Sequence, residues 1–183
     1  MKANTYIAFL RGINVGGQKK VSMEALRKLC ADAGFTNVKT YLQSGNVVFK
    51  SKMRDIQKME DGLSTFIYKE FGFEVPVLVL STSQLQEILS KNPFKQDIEL
   101  KANSLYFVLL KSAPENSLME AFLNEHFENE EFSIENHCVY LACKNGYGKA
   151  KLNNNLIEKK LRVLATTRNY RTMNKLLEMV GEI

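Results

Sequence analysis

Two stretches gather the residue types that grip an anion. Leu10-Arg11-Gly12-Ile13-Asn14-Val15-Gly16-Gly17 runs from an apolar strand end through one arginine into three glycines within six positions. Glycine takes φ > 0 and lets a backbone approach a ligand closely. A helix start follows soon after, so peptide N–H groups can converge on negative charge. Ala165-Thr166-Thr167-Arg168-Asn169 stands directly before the last helical segment. Thr and Asn cap helix N-termini, and an arginine there holds a carboxylate or phosphate bidentately. Ser44-Gly45-Asn46 is a third candidate, though X-Gly hairpin turns are common. The candidate ligand-binding residues are therefore Arg11, Gly12, Asn14, Gly16, Gly17, Ser44, Gly45, Asn46, Thr167, Arg168 and Asn169. Each has a structural alternative: a turn serving backbone geometry only, plain helix capping, or an arginine salt-bridged within its own half.

Familiar catalytic sets are hard to assemble, and no catalytic residue is named. His126 and His137 are the only histidines. Cys138 and Cys143 lie five apart near one strand, which puts them on opposite faces, and with His137 they fall short of a structural zinc set. No metal site is expected, and no cofactor. Gly146-Tyr147-Gly148-Lys149 precedes a helix but lacks the G-x-x-x-x-G-K-[ST] spacing, which argues against nucleotide hydrolysis of that class. No G-x-S-x-G elbow is present.

Length and composition set the frame. The chain of 183 residues, 45% hydrophobic and 25% charged, has the make-up of a globular protein of one large or two small domains. No apolar run reaches the roughly 20 residues of a membrane span, and no secretory signal is visible. Three cysteines fit a reducing compartment, so a cytoplasmic location without membrane contact is expected. The net charge of +5 is uneven. Residues 1–81 carry 12 basic and 7 acidic side chains, residues 82–143 carry 4 and 10, and residues 144–183 carry 9 and 3. Two basic segments around an acidic one suit an anionic partner, while a solvated surface is the bland alternative.

The elements that must hold these residues follow from periodicity. Thr5 to Leu10 reads as a buried strand. Ser22 is the N-cap of a helix with Met23, Leu26, Leu29, Cys30 and Ala33 on one stripe, closed by Gly34. Asn37 to Leu42 and Val47 to Phe49 form a hairpin. A helix from about Arg54 to Phe71 ends at Gly72, and Glu74 to Leu80 is a strand whose Pro76 demands a sheet edge. That order, β-α-β-β-α-β, is ferredoxin-like. Ser81 and Gln84 form a capping box for a connecting helix, Asn92-Pro93 stops it, and Pro93 to Asn103 reads as linker. From Ser104 the pattern repeats: strand 105–110, helix 117–127, hairpin strands 132–135 and 138–142, a basic helix 151–161, an apolar piece 162–165 and a final helix with Tyr170, Met173, Leu176, Leu177 and Val180 inward. The expected fold class is α+β, with two ferredoxin-like units, 1–81 and 104–183, joined by a connecting helix and linker, 82–103. The first strand of each half is apolar on both faces, so both faces must be covered, mutually or across a homodimer.

The stretches Leu10–Gly17, Gln43-Ser44-Gly45-Asn46-Val47-Val48-Phe49 and Ala165–Asn169, with Asn92-Pro93-Phe94, resemble the widespread bacterial family called domain of unknown function 1697. The resemblance implies an α+β fold with ferredoxin-like units and no established activity. Tyr170 stands where members commonly have tryptophan, and Ala150 where a serine often precedes the lysine. The functional expectation is binding of a phosphorylated or other anionic ligand, nucleic acid included, at a glycine-rich loop and a helix N-terminus. An enzyme of a small anionic metabolite and a ligand-free interaction module are the alternatives.

Overall fold

The computed structural model describes residues 2–94 and 104–183; most of the expected linker, residues 95–103, lies outside them. The chain falls into two compact units, Met1–Glu87 with Lys175–Ile183, and Ile88–Asn174.

In the first unit, β1 (Asn4–Leu10), β2 (Thr36–Tyr41), β3 (Asn46–Ser51) and β4 (Val77–Ser81) form a sheet in the order β2-β3-β1-β4. The ladders around β1 are antiparallel. This is the ferredoxin-like order, with α1 (Met23–Asp32) and α2 (Ile56–Phe71) as its crossovers. Local chemistry explains the boundaries. The Ser22 side chain accepts from Ala25 N to start α1, Asp55 accepts from Lys58 N to start α2, and Gly72 closes α2 at φ +77°. Pro76 ends just outside the edge strand β4, which begins at Val77. One sheet face packs Tyr6, Ala8, Leu10, Val47, Phe49, Val77 and Val79 against Leu26, Cys30, Met59, Leu63 and Ile67 of the helices.

The second unit repeats the plan. β5 (Leu105–Leu110), β6 (Glu130–Glu135), β7 (Cys138–Cys143) and β8 (Ala165–Asn169) order as β6-β7-β5-β8, with α4 (Asn116–Leu123) and α5 (Asn154–Leu161) as crossovers. Both elements are shorter than expected. α4 ends at Leu123, and α5 waits for Asn153, whose side chain accepts from Leu156 N. The largest correction concerns 165–169. Expected only as the lead-in to the last helix, this stretch is an edge strand paired with β5 that runs directly into that helix.

The remaining helices are α3 (Thr82–Ser90) and α6 (Tyr170–Gly181). The capping box at α3 is reciprocal: Ser81 N donates to Gln84 Oε1 at 2.8 Å and Gln84 N to Ser81 Oγ at 3.3 Å. The buried stripe of α6 is Thr172, Met173, Leu176 and Met179, turned from the expected Tyr170, Met173, Leu176, Leu177 and Val180. Both faces of the central strands are buried. Ile7, Phe9 and Val48 are fully inaccessible on the face away from α1 and α2, as are Phe107 and Leu109 to within 1% in the second unit. There the Tyr170 ring stacks on Phe107 at 6.2 Å, and the Tyr140 hydroxyl donates to Ile88 O at 3.0 Å.

Candidate functional site

The glycine-rich loop leaves β1 at Arg11, whose N–H donates to Pro76 O at 2.9 Å. Its tip is a two-residue turn. Gln18 N donates to Val15 O, Asn14 N donates to Lys19 O, and Gly16 and Gly17 hold φ +58° and +76°. Positive φ at both central positions fits a type I′ turn, which demands glycine-like residues. Gly12, at φ +71°, is exposed like Gly16 and Gly17. The helix that follows these glycines starts where expected, with Ser22 capping α1.

Asn14 holds the loop in place. Its Nδ2 donates to Val21 O at 2.9 Å and to Gln43 O at 2.8 Å, and its Oδ1 accepts from Val21 N at 2.9 Å. Both amide donors and the carbonyl are thus committed to backbone groups. The second bond reaches the β2–β3 hairpin, so the Leu10–Gly17 and Gln43–Asn46 stretches meet at one end of the sheet. Leu10 N donates to Gly45 O at 2.8 Å. Gly45 sits at φ +74°, where an added Cβ would fall 2.7 Å from Ile13 Cδ1 and from Leu10 Cβ. Asn46 is fully buried, and its Nδ2 donates to Tyr41 O at 2.8 Å and to Ser44 Oγ at 3.0 Å. Asn14 bridges two backbone carbonyls and Asn46 a carbonyl and a hydroxyl, as the asparagine inventory of two donors permits.

Among the described residues, no hydrogen bond uses the Gly16 or Gly17 N–H. Val15 is 67% exposed beside them, and Leu42 is 54% exposed at φ +57° on the neighbouring hairpin. Lys20 is exposed next to the turn, and Lys19 Nζ donates to Glu74 O at 2.7 Å. The loop is a pinned, solvent-facing turn with two open amides and a lysine at hand.

In the second unit, Thr167, Arg168 and Asn169 have intramolecular roles. The Thr167 hydroxyl donates to Asn154 Oδ1 at 3.0 Å and accepts from the Tyr147 hydroxyl at 3.0 Å. Arg168 is 8% exposed, with Nη1 donating to Thr166 Oγ1 and to Thr167 O, both at 2.8 Å. Burial lowers its pKa to about 10, since desolvation disfavours the charged guanidinium. Asn169 Oδ1 accepts from Thr172 N at 2.8 Å, a cap on α6.

Residue-type reasoning passed over Tyr147 and Asn154. The Tyr147 hydroxyl accepts from Asn154 N at 2.9 Å while donating to Thr167, and Asn154 Nδ2 donates to Ala165 O at 3.1 Å. Burial raises the Tyr147 pKa. The signal was Gly146-Tyr147-Gly148-Lys149, whose value lies in the tyrosine rather than in phosphate-loop spacing. The three cysteines are buried, and desolvation pushes Cys30 and Cys143 up to about 12 and Cys138 upward as well. Among the described residues, no group of three His, Cys, Asp or Glu side chains is placed to hold a metal. Two surface cavities of the first unit, about 240 and 380 Å³, are lined by residues outside the candidate set, such as Leu29 and Phe66 in one and Phe35 and Met53 in the other.

Residues 3–140 match a family model described as protein of unknown function (DUF1697). No curated protein matches the chain. Among solved structures, the conserved bacterial protein SP0830 from Streptococcus pneumoniae is similar, with a TM-score of 0.78 and 22% identity over 98% of this chain and 99% of that one. That likeness establishes a shared fold. No described helix is long and apolar enough to cross a membrane.

Proposed function

We propose a binding function for this chain, which belongs to the DUF1697 family of proteins of unknown function: capture of a phosphorylated or other anionic ligand at the Arg11–Lys20 loop of the first unit. One observation carries the reading. Asn14 fixes an exposed turn whose Gly16 and Gly17 amides have no intramolecular acceptor among the described residues. A turn that served only chain reversal needs no such clamp to a second hairpin. Preorganised N–H groups beside a lysine suit phosphate oxygens, because the donors are already ordered when the anion arrives. Lys20 supplies charge, with Arg11 at the loop's base and Ser44 exposed on the adjoining hairpin. The excess of basic side chains over residues 1–81 favours anion approach.

Thermal unfolding with inorganic phosphate, nucleoside phosphates and a single-stranded oligonucleotide tests this reading. A true ligand at a hundredfold excess over its Kd stabilises by about 2.7 kcal/mol. That shift is expected to shrink sharply in Lys20→Glu, whose side chain is exposed and whose loss leaves the fold intact. An oligonucleotide ligand shows steep salt dependence through counterion release, while a small anion shows little. No shift with any of these probes, or an undiminished shift in Lys20→Glu, overturns the assignment.

A further inference from the structure

Each sheet has two outer edges, and the backbone groups along them fare very differently. Hydrogen-bond alternation in an antiparallel ladder tells which groups point outward. In β4, the bond from Arg11 N to Pro76 O turns Val79 and Ser81 outward. The Val79 N–H is taken by Glu60 Oε1 at 2.8 Å and the Ser81 N–H by Gln84 Oε1. In β8, the bond from Lys111 N to Leu164 O turns Ala165 and Thr167 outward. Ala165 N–H is taken by Glu158 Oε1 at 2.8 Å, Ala165 C=O by Asn154 Nδ2 and Thr167 C=O by Arg168 Nη1. β2 is broken by a register shift between Thr36 and Lys39, with Asn37 at φ +52°. Capping and bulging are the devices by which sheets refuse a further strand.

From Phe132 to Glu135, beyond the bridge that Phe127 makes to Glu130, β6 has neither device. Its six pairs with β7 run without a shift, from Glu130↔Cys143 to Glu135↔Cys138. The bond from Lys144 N to Asn129 O sets the alternation and turns the N–H and C=O groups of Phe132 and Ile134 outward. No hydrogen bond from the described residues meets them.

We propose that the outer edge of β6 is a strand-addition site for an extended peptide that alternates basic and apolar residues. Main-chain bonds to Phe132 and Ile134 hold such a peptide, and the flanking side chains select it. On one face its neighbours are Phe132 and Ile134, half-buried against the core of the second unit. On the other they are Glu131, Ser133 and Glu135. Glu131 and Glu135 are exposed and pair with Lys144 at 3.1 Å and Lys91 at 3.3 Å. Exposed pairs of this kind hold little energy, so an incoming lysine or arginine competes for them. A second copy fits poorly. Antiparallel self-pairing about Ser133 sets Glu131 opposite Glu135, and like charges across a ladder repel.

The probe is a synthetic octapeptide of alternating lysine and valine, with a companion N-methylated along one edge. Amide hydrogen exchange by NMR is expected to find Phe132 and Ile134 fast in the free chain. With the plain peptide their exchange slows at least tenfold, and the methylated companion leaves them unchanged. Ile134→Pro removes an outward donor while Ser133 and Glu135 keep the β7 ladder, and it weakens binding at least tenfold. The double variant Glu131→Lys with Glu135→Lys leaves the backbone untouched and does the same. Three results overturn the proposal: slow exchange of both amides without peptide, protection that rises with protein concentration alone, or equal binding of the methylated companion.

Discussion

Gly45 and Gly17 permit a clean subtraction. Their φ angles are nearly the same, +74° and +76°. A Cβ at either position therefore meets about the same backbone penalty, roughly 1–2 kcal/mol for a left-handed non-glycine residue. Their surroundings differ. A Cβ at Gly17 finds no atom within 4 Å, whereas at Gly45 it falls 2.7 Å from both Ile13 Cδ1 and Leu10 Cβ. Leu10 is strand and cannot swing aside, so Gly45→Ala forces the hairpin off the loop. Overpacking of this kind costs about 1–3 kcal/mol beyond the backbone penalty. Gly17→Ala is thus expected to destabilise by about 1–2 kcal/mol and Gly45→Ala by about 2–5 kcal/mol. Urea unfolding followed by far-UV circular dichroism reads both, and the entropy that alanine removes from the unfolded chain cancels in the comparison. Equal losses in the two variants refute the claim that Gly45 is demanded by the contact with the Arg11 loop.

Three further outcomes follow from particular bonds. Asn14→Ala is expected to lose about 1–3 kcal/mol and to speed exchange of the Val21 amide, since its acceptor disappears; unchanged Val21 exchange refutes the clamp. Tyr147→Phe keeps the ring but strands Asn154 N and takes one of the Thr167 hydroxyl's two bonds, so a loss of about 1–3 kcal/mol by chemical denaturation is expected. The buried thiols should resist a disulfide reagent at pH 8 until the chain unfolds, because Cys30 and Cys143 are pushed up from 9.0 to about 12. The matching pH effect has a definite sign: their contribution is intact below pH 9 and declines as pH rises toward 12, because the unfolded thiols ionise first.

Where local chemistry decides, the sequence is readable. Ser22, Gly72 and the Ser81–Gln84 box sit where capping preferences put them, and β4 is the edge strand expected, with Pro76 just before it rather than within it. The unbroken apolar runs of β1 and β5 announce burial on both faces. Where partners come from afar, it is not. Glu60 and Glu158 look like solvated helix residues in the sequence, yet each closes an edge strand's N–H through a fold-level contact. Ala165 to Asn169 has the Asn of a cap and also the β-branched residues of a strand, and it is both: it pairs with β5 while Asn169 caps α6. Asn14 is the sharpest case at the candidate site. Its type suggests a ligand contact, and only the position of Gln43 shows that its amide bridges two turns.

The first unit is discontinuous along the chain, since it takes in Lys175–Ile183 as well as Met1–Glu87. Lys39 of β2 reaches Glu182 at 3.2 Å, a contact between its early and late portions. A ribosome delivers residues in order, at about 5–20 per second. Once Glu87 has emerged, everything from Ile88 to Asn174 must still be made before the missing helical half arrives, a wait of roughly 4–17 s. The second unit is contiguous and complete on the way. The domain that begins first is therefore the one finished last, and in the interval a nascent chain lacks the part of that unit that holds the buried Leu176 and Met179. That interval is when a chaperone has most to bind.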